Sequence, residues 1–263
     1  MSSRGTGLLL GIDSSGRVPS IALLALDRDP WLATCEPPVR GEGLADLLRL
    51  GLKDLSAAVA DISAVGVSTG PGSWTGVRIG LALAAGLVLP HKLPVTGMSS
   101  LRLQLACCDQ PAEGDRSPIL ATLDAGSGNI YVAAWSSDGG EQLLDYKRCT
   151  AEELLVDLRA LPAGLRVAGT AAQAVIGACS EAGLPMPGLA SEVLDPAVAL
   201  AKAAGTELDS TSSKTGDRVV PEQALPTYIG PTGARPNKNR VATGWSAGSG
   251  QQEKAPGVEE RDS

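Results

Sequence analysis

Two acidic turns hold the side chains of this sequence best suited to grip a phosphate or a metal-bound water. Leu8-Leu9-Leu10-Gly11-Ile12 runs into Asp13-Ser14-Ser15-Gly16, and Ile119-Leu120-Ala121-Thr122-Leu123 runs into Asp124-Ala125-Gly126-Ser127-Gly128. Asp13 and Asp124 would take the metal-water or phosphate-side carboxylate positions, with the hydroxyls of Ser14, Ser15 and Ser127 and nearby amides as phosphate donors. The same residues also serve as plain Asx-type turns that end strands. A third stretch, Gly70-Pro71-Gly72-Ser73-Trp74-Thr75-Gly76-Val77-Arg78, joins an apolar strand ending at Val67 to the apolar run Ile79 to Leu89. Ser73 or Thr75 would cap the helix that follows, and its free first-turn amides attract anions. A glycine-rich strand-to-helix connector is the commoner use of such a turn. No Gly-Lys-Ser/Thr follows and Arg78 is the first cation, which excludes a Walker loop.

Other catalytic chemistry is poorly provided for. Neither acidic turn contains a lysine. The single histidine, His91, has no ligand-spaced neighbour, and reads as a surface loop residue between Pro90 and Lys92. The five cysteines include no C-x-x-C pair and no histidine-partnered nucleophile, which fits a reduced, cytoplasmic chain. No catalytic residue and no metal site is assigned. A net charge of −7 argues against a broad nucleic-acid face, since phosphate contacts need clustered Lys and Arg, and leaves open contact with RNA through a partner. No apolar run has the length of a secretory leader or a membrane span, so neither is expected.

The elements that must position these turns follow an α/β order. Strands are expected at Leu8–Ile12, Ile21–Leu26 and Trp31–Cys35, then a helix over Glu42–Val59. Leu44, Leu47, Leu48, Leu52, Leu55 and Val59 recur along that helix at three- and four-residue intervals. A strand to Val67, the glycine turn, the apolar helix, a strand at Val95 and a helix at Ser99–Ala106 complete the unit. The order then restarts at Ile119, with Ile130–Trp135 as hairpin partner, Glu141–Tyr146 as third strand, and helix, strand and helix at Ala151–Leu161, Leu165–Val167 and Ala171–Ala182. A short helix at Asp195–Ala204 follows. Asp13 and Asp124 therefore occupy equivalent places in a duplicated unit. The expected organisation is a first lobe over 1–110, a second over 111–205, a docking segment over 206–235 around Leu225-Pro226-Thr227-Tyr228-Ile229, and a disordered tail over 236–263. Aromatics are 3% with no Phe, so Leu, Val, Ile and Ala must fill the cores.

Paired hairpins with acidic turns describe the duplicated architecture of actin and the sugar kinases. The segment Gly70-Pro71-Gly72-Ser73-Trp74-Thr75-Gly76-Val77-Arg78-Ile79-Gly80 closely resembles the G-P-G-S-F-T-G-[VL]-R-[IV]-G signature of the bacterial TsaB (YeaZ) family. Leu10 to Ser15 resembles the family's opening I-L-A-I-D-T-S/A, Asp124-Ala125 through Tyr131 its D-A-R-x-x-E-V-Y, and Pro226-Thr227-Tyr228-Ile229 its P-x-Y-L-R. Trp74 stands for the usual Phe, residues 125–129 lack the basic and acidic members, and Gly230 stands where Arg is common.

This resemblance implies a duplicated actin-like ATPase-domain (ribonuclease H-like) fold in two lobes. It also implies a non-catalytic role in making threonylcarbamoyladenosine (t6A) on tRNA. The family subunit pairs with the catalytic TsaD protein through the two first-lobe helices, and the pair recruits the ATPase TsaE. The bundle would then be built from Glu42–Val59 and Val77–Leu89, with Leu44, Leu47, Leu48, Leu52, Leu55, Val77, Leu81 and Leu83 as contact residues. ATP or ADP with Mg would sit at the junction, and the free chain would form a homodimer. The rival readings are a stand-alone actin-fold ATPase or glycoprotease-like enzyme, and a homodimeric binding module.

Overall fold

The computed structural model describes residues 7–25, 29–34, 41–109 and 117–211. The chain forms β1 (Leu8–Asp13), β2 (Ser20–Leu24), β3 (Trp31–Thr34), α1 (Gly41–Asp54), β4 (Ile62–Ser68), α2 (Trp74–His91), β5 (Val95–Met98) and α3 (Ser100–Cys107). The second half repeats that order with β6 (Ile119–Gly126), β7 (Asn129–Trp135), β8 (Gln142–Thr150), α4 (Ala151–Leu158), β9 (Arg166–Ala168), α5 (Ala172–Glu181), β10 (Gly188–Leu189) and α6 (Pro196–Thr211). Each half makes one five-stranded sheet, β3-β2-β1-β4-β5 and β8-β7-β6-β9-β10, so strand order is duplicated along with element order. In both sheets the first strand pairs antiparallel with the second and parallel with the fourth. This is the duplicated actin-like ATPase-domain fold.

The halves exchange their last helices. α6, from the end of the second half, lies on sheet one, while α3 lies on sheet two. Two glycines admit α6: a side chain on Gly11 would strike the Ala197 carbonyl, and one on Gly66 the Leu200 carbonyl. α3 buries Leu101 against Ala121, Leu123, Ala133 and Trp135 of sheet two. Ser99 caps α3, its hydroxyl accepting from the Arg102 amide and sharing a hydrogen bond with the Tyr146 hydroxyl. The Arg102 guanidinium donates to the Gly139 carbonyl and lies over the Trp135 ring.

The other face of sheet one carries the larger apolar core, where Leu10, Ile12, Ile21, Leu23, Val65 and Val67 meet Leu44, Leu48 and Leu52 of α1 and Ala84 and Val88 of α2. Several elements differ from their expected bounds. α1 stops at Asp54, because Ser56 adopts a left-handed conformation (φ 53°) and the Ala57 amide donates back to Leu52, a C-cap that closes the helix. α2 begins earlier, at Trp74, and takes in His91, which is the helix's last residue rather than a loop residue. β8 runs on to Thr150, α6 runs on to Thr211, and the two-residue β10 was too short to carry a periodic signal. The parts of the expected docking segment and tail from 212 to 263 lie outside the described residues.

Candidate partner interface and the acidic turns

The glycine-rich signature works as a packing device between α2 and the turn after β1. Ser73 caps α2, accepting from the Gly76 amide at 3.1 Å, while its own amide donates to the Ser15 carbonyl at 2.8 Å. Gly72, Gly76 and Gly80 follow at four-residue intervals and face that turn. A side chain on Gly72 would strike Ser15, and one on Gly76 or Gly80 would strike the carbonyl or the hydroxyl of Ser14. The Gly70–Pro71 peptide is cis, and the Gly70 carbonyl accepts from the Ser100 amide at 2.8 Å, which joins the loop to the start of α3. Thr75 is exposed within the first turn and is not the cap. Trp74 stands out from the surface, 56% exposed, with the Arg78 guanidinium stacked 3.6 Å from its ring centre.

Enclosed in this way, the first acidic turn is closed to ligands. Asp13, Ser14 and Ser15 are all buried. The Asp13 Oδ1 accepts from the Ser15 amide at 3.0 Å and the Ser15 hydroxyl at 2.8 Å, so both Ser15 donors are spent inside the turn. Asp124 forms the same motif in the second lobe, its Oδ1 accepting from the Gly126 amide at 2.8 Å, but it lies exposed. The Asp124 amide donates to Thr170 Oγ1, and Ser127 sits at φ 54° between two left-handed glycines in a tight hairpin turn. Both aspartates are thus Asx-turn acceptors at equivalent strand ends.

The buried first turn by itself does not fit a magnesium-bound nucleotide. The first turn offers no accessible oxygen array, and no group of three His, Cys, Asp or Glu that could hold a metal occurs among the described residues. An open cavity of about 390 Å³ beside the end of β9 is lined by Thr170, Gln173, Ser191 and Glu192 among others, with a carboxylate and no basic side chain to receive phosphate. Burial pushes the thiols of Cys107, Cys108, Cys149 and Cys179 up, Cys108 to about 11, and the Asp13 charge adds to the effect at Cys107. Such thiols are protonated and unreactive near neutral pH.

What the fold leaves uncovered is the outer side of α2. From Ile79 to Pro90 this helix has no polar residue, so it is apolar all the way round. Val77, Gly80, Ala84 and Val88 are buried inward, while Ala82, Ala85, Gly86 and Leu89 are exposed, Leu89 at 52%. Leu50 on the neighbouring α1 is 48% exposed.

The contact residues read from the sequence need correcting here. Leu44, Leu48, Leu52 and Val77 are buried in the chain's own core, because the sheet takes the single apolar stripe of α1. Leu47, Leu55, Leu81 and Leu83 are half-buried against the same core. Leu50, Ala82, Ala85, Gly86 and Leu89 are the apolar residues that face fully outward in place of the buried ones.

Sequence and fold comparisons agree with this frame. The chain is similar to YeaZ from Pseudomonas aeruginosa, with a TM-score of 0.62 and 26% identity over 85% of this chain and 100% of that one. It is 38% identical over 81 residues to the tRNA threonylcarbamoyladenosine biosynthesis protein TsaB of Escherichia coli (strain K12), and 38% identical over 89 residues to that of Bacillus subtilis (strain 168). The chain is thus similar to TsaB (YeaZ) proteins in sequence and in fold. The aligned stretches cover 31% and 34% of this chain and about a third of those two TsaB proteins, 34% and 37%. Residues 42–154 also match the model for TsaD, tRNA N6-adenosine threonylcarbamoyltransferase. That match takes in both α1 and α2, the helices that carry the exposed apolar residues. Among the described residues no helix is long and apolar enough to cross a membrane.

Proposed function

We propose that this chain is a non-catalytic, cytoplasmic subunit of tRNA threonylcarbamoyladenosine synthesis that pairs with a TsaD-type catalytic subunit through the outer face of α2 and the adjoining edge of α1. The observation that carries the reading is the uncharged strip Ala82, Ala85, Gly86 and Leu89, with Leu50 exposed on the neighbouring α1. Exposed apolar surface of this kind marks protein contacts. Its small residues also let another helix approach closely. Similarity to TsaB proteins and the likeness of residues 42–154 to the TsaD model support a TsaD-type protein as the partner. A TsaE-type ATPase then joins the pair. ATP or ADP with Mg binds at the junction, where the partners supply the groups that the buried Asp13 turn does not. Alone, the chain self-associates through the same strip, and tRNA reaches it only through the complex.

The test is complex formation with the TsaD protein of the same organism, measured by light scattering after size exclusion. A heterodimer that forms with the native chain and fails with Ala85→Asp/Leu89→Asp supports the pairing face. A heterodimer indifferent to that double variant moves the contact elsewhere, and no complex with TsaE and ATP present removes the subunit reading.

A further inference from the structure

The open cavity of about 390 Å³ in the second half of the chain sits where parallel sheets commonly hold ligands. β6, β9 and β10 run parallel, and residues at the carboxyl ends of β9 and β10 line it. The crevice outside such strand ends is the usual binding place of an α/β sheet. Backbone bonds hold its walls. The Asp109 amide donates to the Ser191 carbonyl at 2.9 Å, the Ala190 amide donates to the Val167 carbonyl at 2.9 Å, and Glu192 bridges antiparallel to Cys108. Gly169, at φ 95°, lies so close to the Thr122 carbonyl that no side chain fits there.

The polar groups of this cavity make two opposite demands on a ligand. Glu192 is the only charged side chain in the lining, and it forms no ion pair among the described residues, so it calls for a cation. Thr170 Oγ1 already accepts the Asp124 amide, which leaves the hydroxyl hydrogen to donate. α5 also begins here, with Ala171 as an N-cap whose side chain accepts nothing. The Ala172 amide turns back to the Gly169 carbonyl and the Ala174 amide to the Ala171 carbonyl, but the Gln173 amide between them has no partner among the described residues. These donors at the positive end of a helix call for an anion. A lone anion would meet the Glu192 charge, and a lone cation would leave the donors unmet. A metal ion would find a single carboxylate. An α-amino acid carries both charges on one carbon, and Ala172, Leu189 and Ala190 give its side chain an apolar wall.

We propose that this cavity binds a free α-amino acid, its carboxylate received by the Gln173 amide and the Thr170 hydroxyl and its ammonium by Glu192. The site belongs to the second half of the chain, apart from α1 and α2, so it stands independently of pairing with a TsaD-type subunit.

Titration of the isolated full chain with L-threonine, followed through its assigned amide NMR signals, tests the site. L-threonine is the probe because it is the amino acid in the modification for which the similar proteins are named. Saturable shifts should be confined to the amides of 169–173 and 189–192. L-threoninol, which lacks the carboxylate, and N-acetyl-L-threonine, which lacks the ammonium, should each bind at least tenfold more weakly. Glu192→Gln should weaken threonine at least tenfold, and because Glu192 is exposed the variant should keep the native spectrum elsewhere. Absence of saturable shifts at millimolar threonine would overturn the proposal. So would binding that Glu192→Gln leaves unchanged, or equal binding of either analogue, which would report a simple amine or a simple anion. None of these results bears on complex formation with TsaD, which is measured separately.

Discussion

The Gly76 backbone lies against the carbonyl of Ser14, closely enough that no side chain fits between helix α2 and the turn after β1. The contact fixes the start of the apolar helix to the end of the first strand, and Ser73 reinforces it from both sides. Gly76→Ala should therefore destabilise the fold by about 2 kcal/mol, as overpacked cores do, although alanine is the better helix former. The urea midpoint measures it, and an unchanged or raised midpoint would contradict the close packing.

Gly86 lies on the same helix with open space around it. Gly86→Ala should stabilise the isolated chain by about 0.5–1 kcal/mol through helix propensity. If α2 presents this face to a partner helix, the added methyl should also weaken pairing with TsaD. A variant that is both more stable and equally well paired would shift the contact off this part of α2.

Charge placed on the two sides of the α1–α2 layer should act differently. Leu48→Asp puts an unpaired carboxylate in the core and should cost more than about 4 kcal/mol, unfolding the chain. Leu89→Asp lies in solvent and should leave the unfolding midpoint within about 0.5 kcal/mol of native. Circular dichroism melts of the two variants decide this, and a folded, stable Leu48→Asp would contradict the burial of that stripe.

Losing the α2 cap should have a moderate effect. Ser73→Ala removes the acceptor for the Gly76 amide and should cost about 1 kcal/mol. Thr75→Ala, which removes no cap, should cost less. The order of their urea midpoints tests which residue caps the helix.

Stability should fall in alkali for a reason visible in the cores. Burial raises the thiols of Cys107, Cys108, Cys149 and Cys179 from an ordinary 9.0, that of Cys108 to about 11. Above pH 9 the unfolded chain releases protons that the folded chain retains, so the stabilisation present below pH 9 is lost as pH rises through the folded values. Urea midpoints at pH 8, 9 and 10 should decline in that order, and Cys108→Ala should flatten the decline. A midpoint independent of pH would show that these thiols are solvated.

Much of the fold was legible because its signals are local. Buried strands ending in Asp13 and Asp124 exposed the duplication, and the three- and four-residue spacing of Leu44 to Leu55 marked an amphipathic helix. Which partner the helix stripe served was not legible, since a sheet of the same chain and a second protein attract the same leucines. α2 hid its outward face for the opposite reason: with apolar residues all round, no periodicity separates Ala82 and Ala85 from Ala84 and Val88. The roles of Gly11 and Gly66 depended on a helix well over a hundred residues away in sequence. The signature loop read as an anion site because glycines and a cap look alike whether the amides meet a phosphate or, as Ser73 does, the carbonyl of Ser15.

The exchange of α3 and α6 also sets a schedule for synthesis. When the first half of the chain has left the ribosome, α1 and α2 are available to sheet one, but the groove floored by Gly11 and Gly66 has no occupant, because α6 has yet to be translated. Sheet two, made later, finds α3 already waiting for it. The sheet made first is therefore the last to be closed.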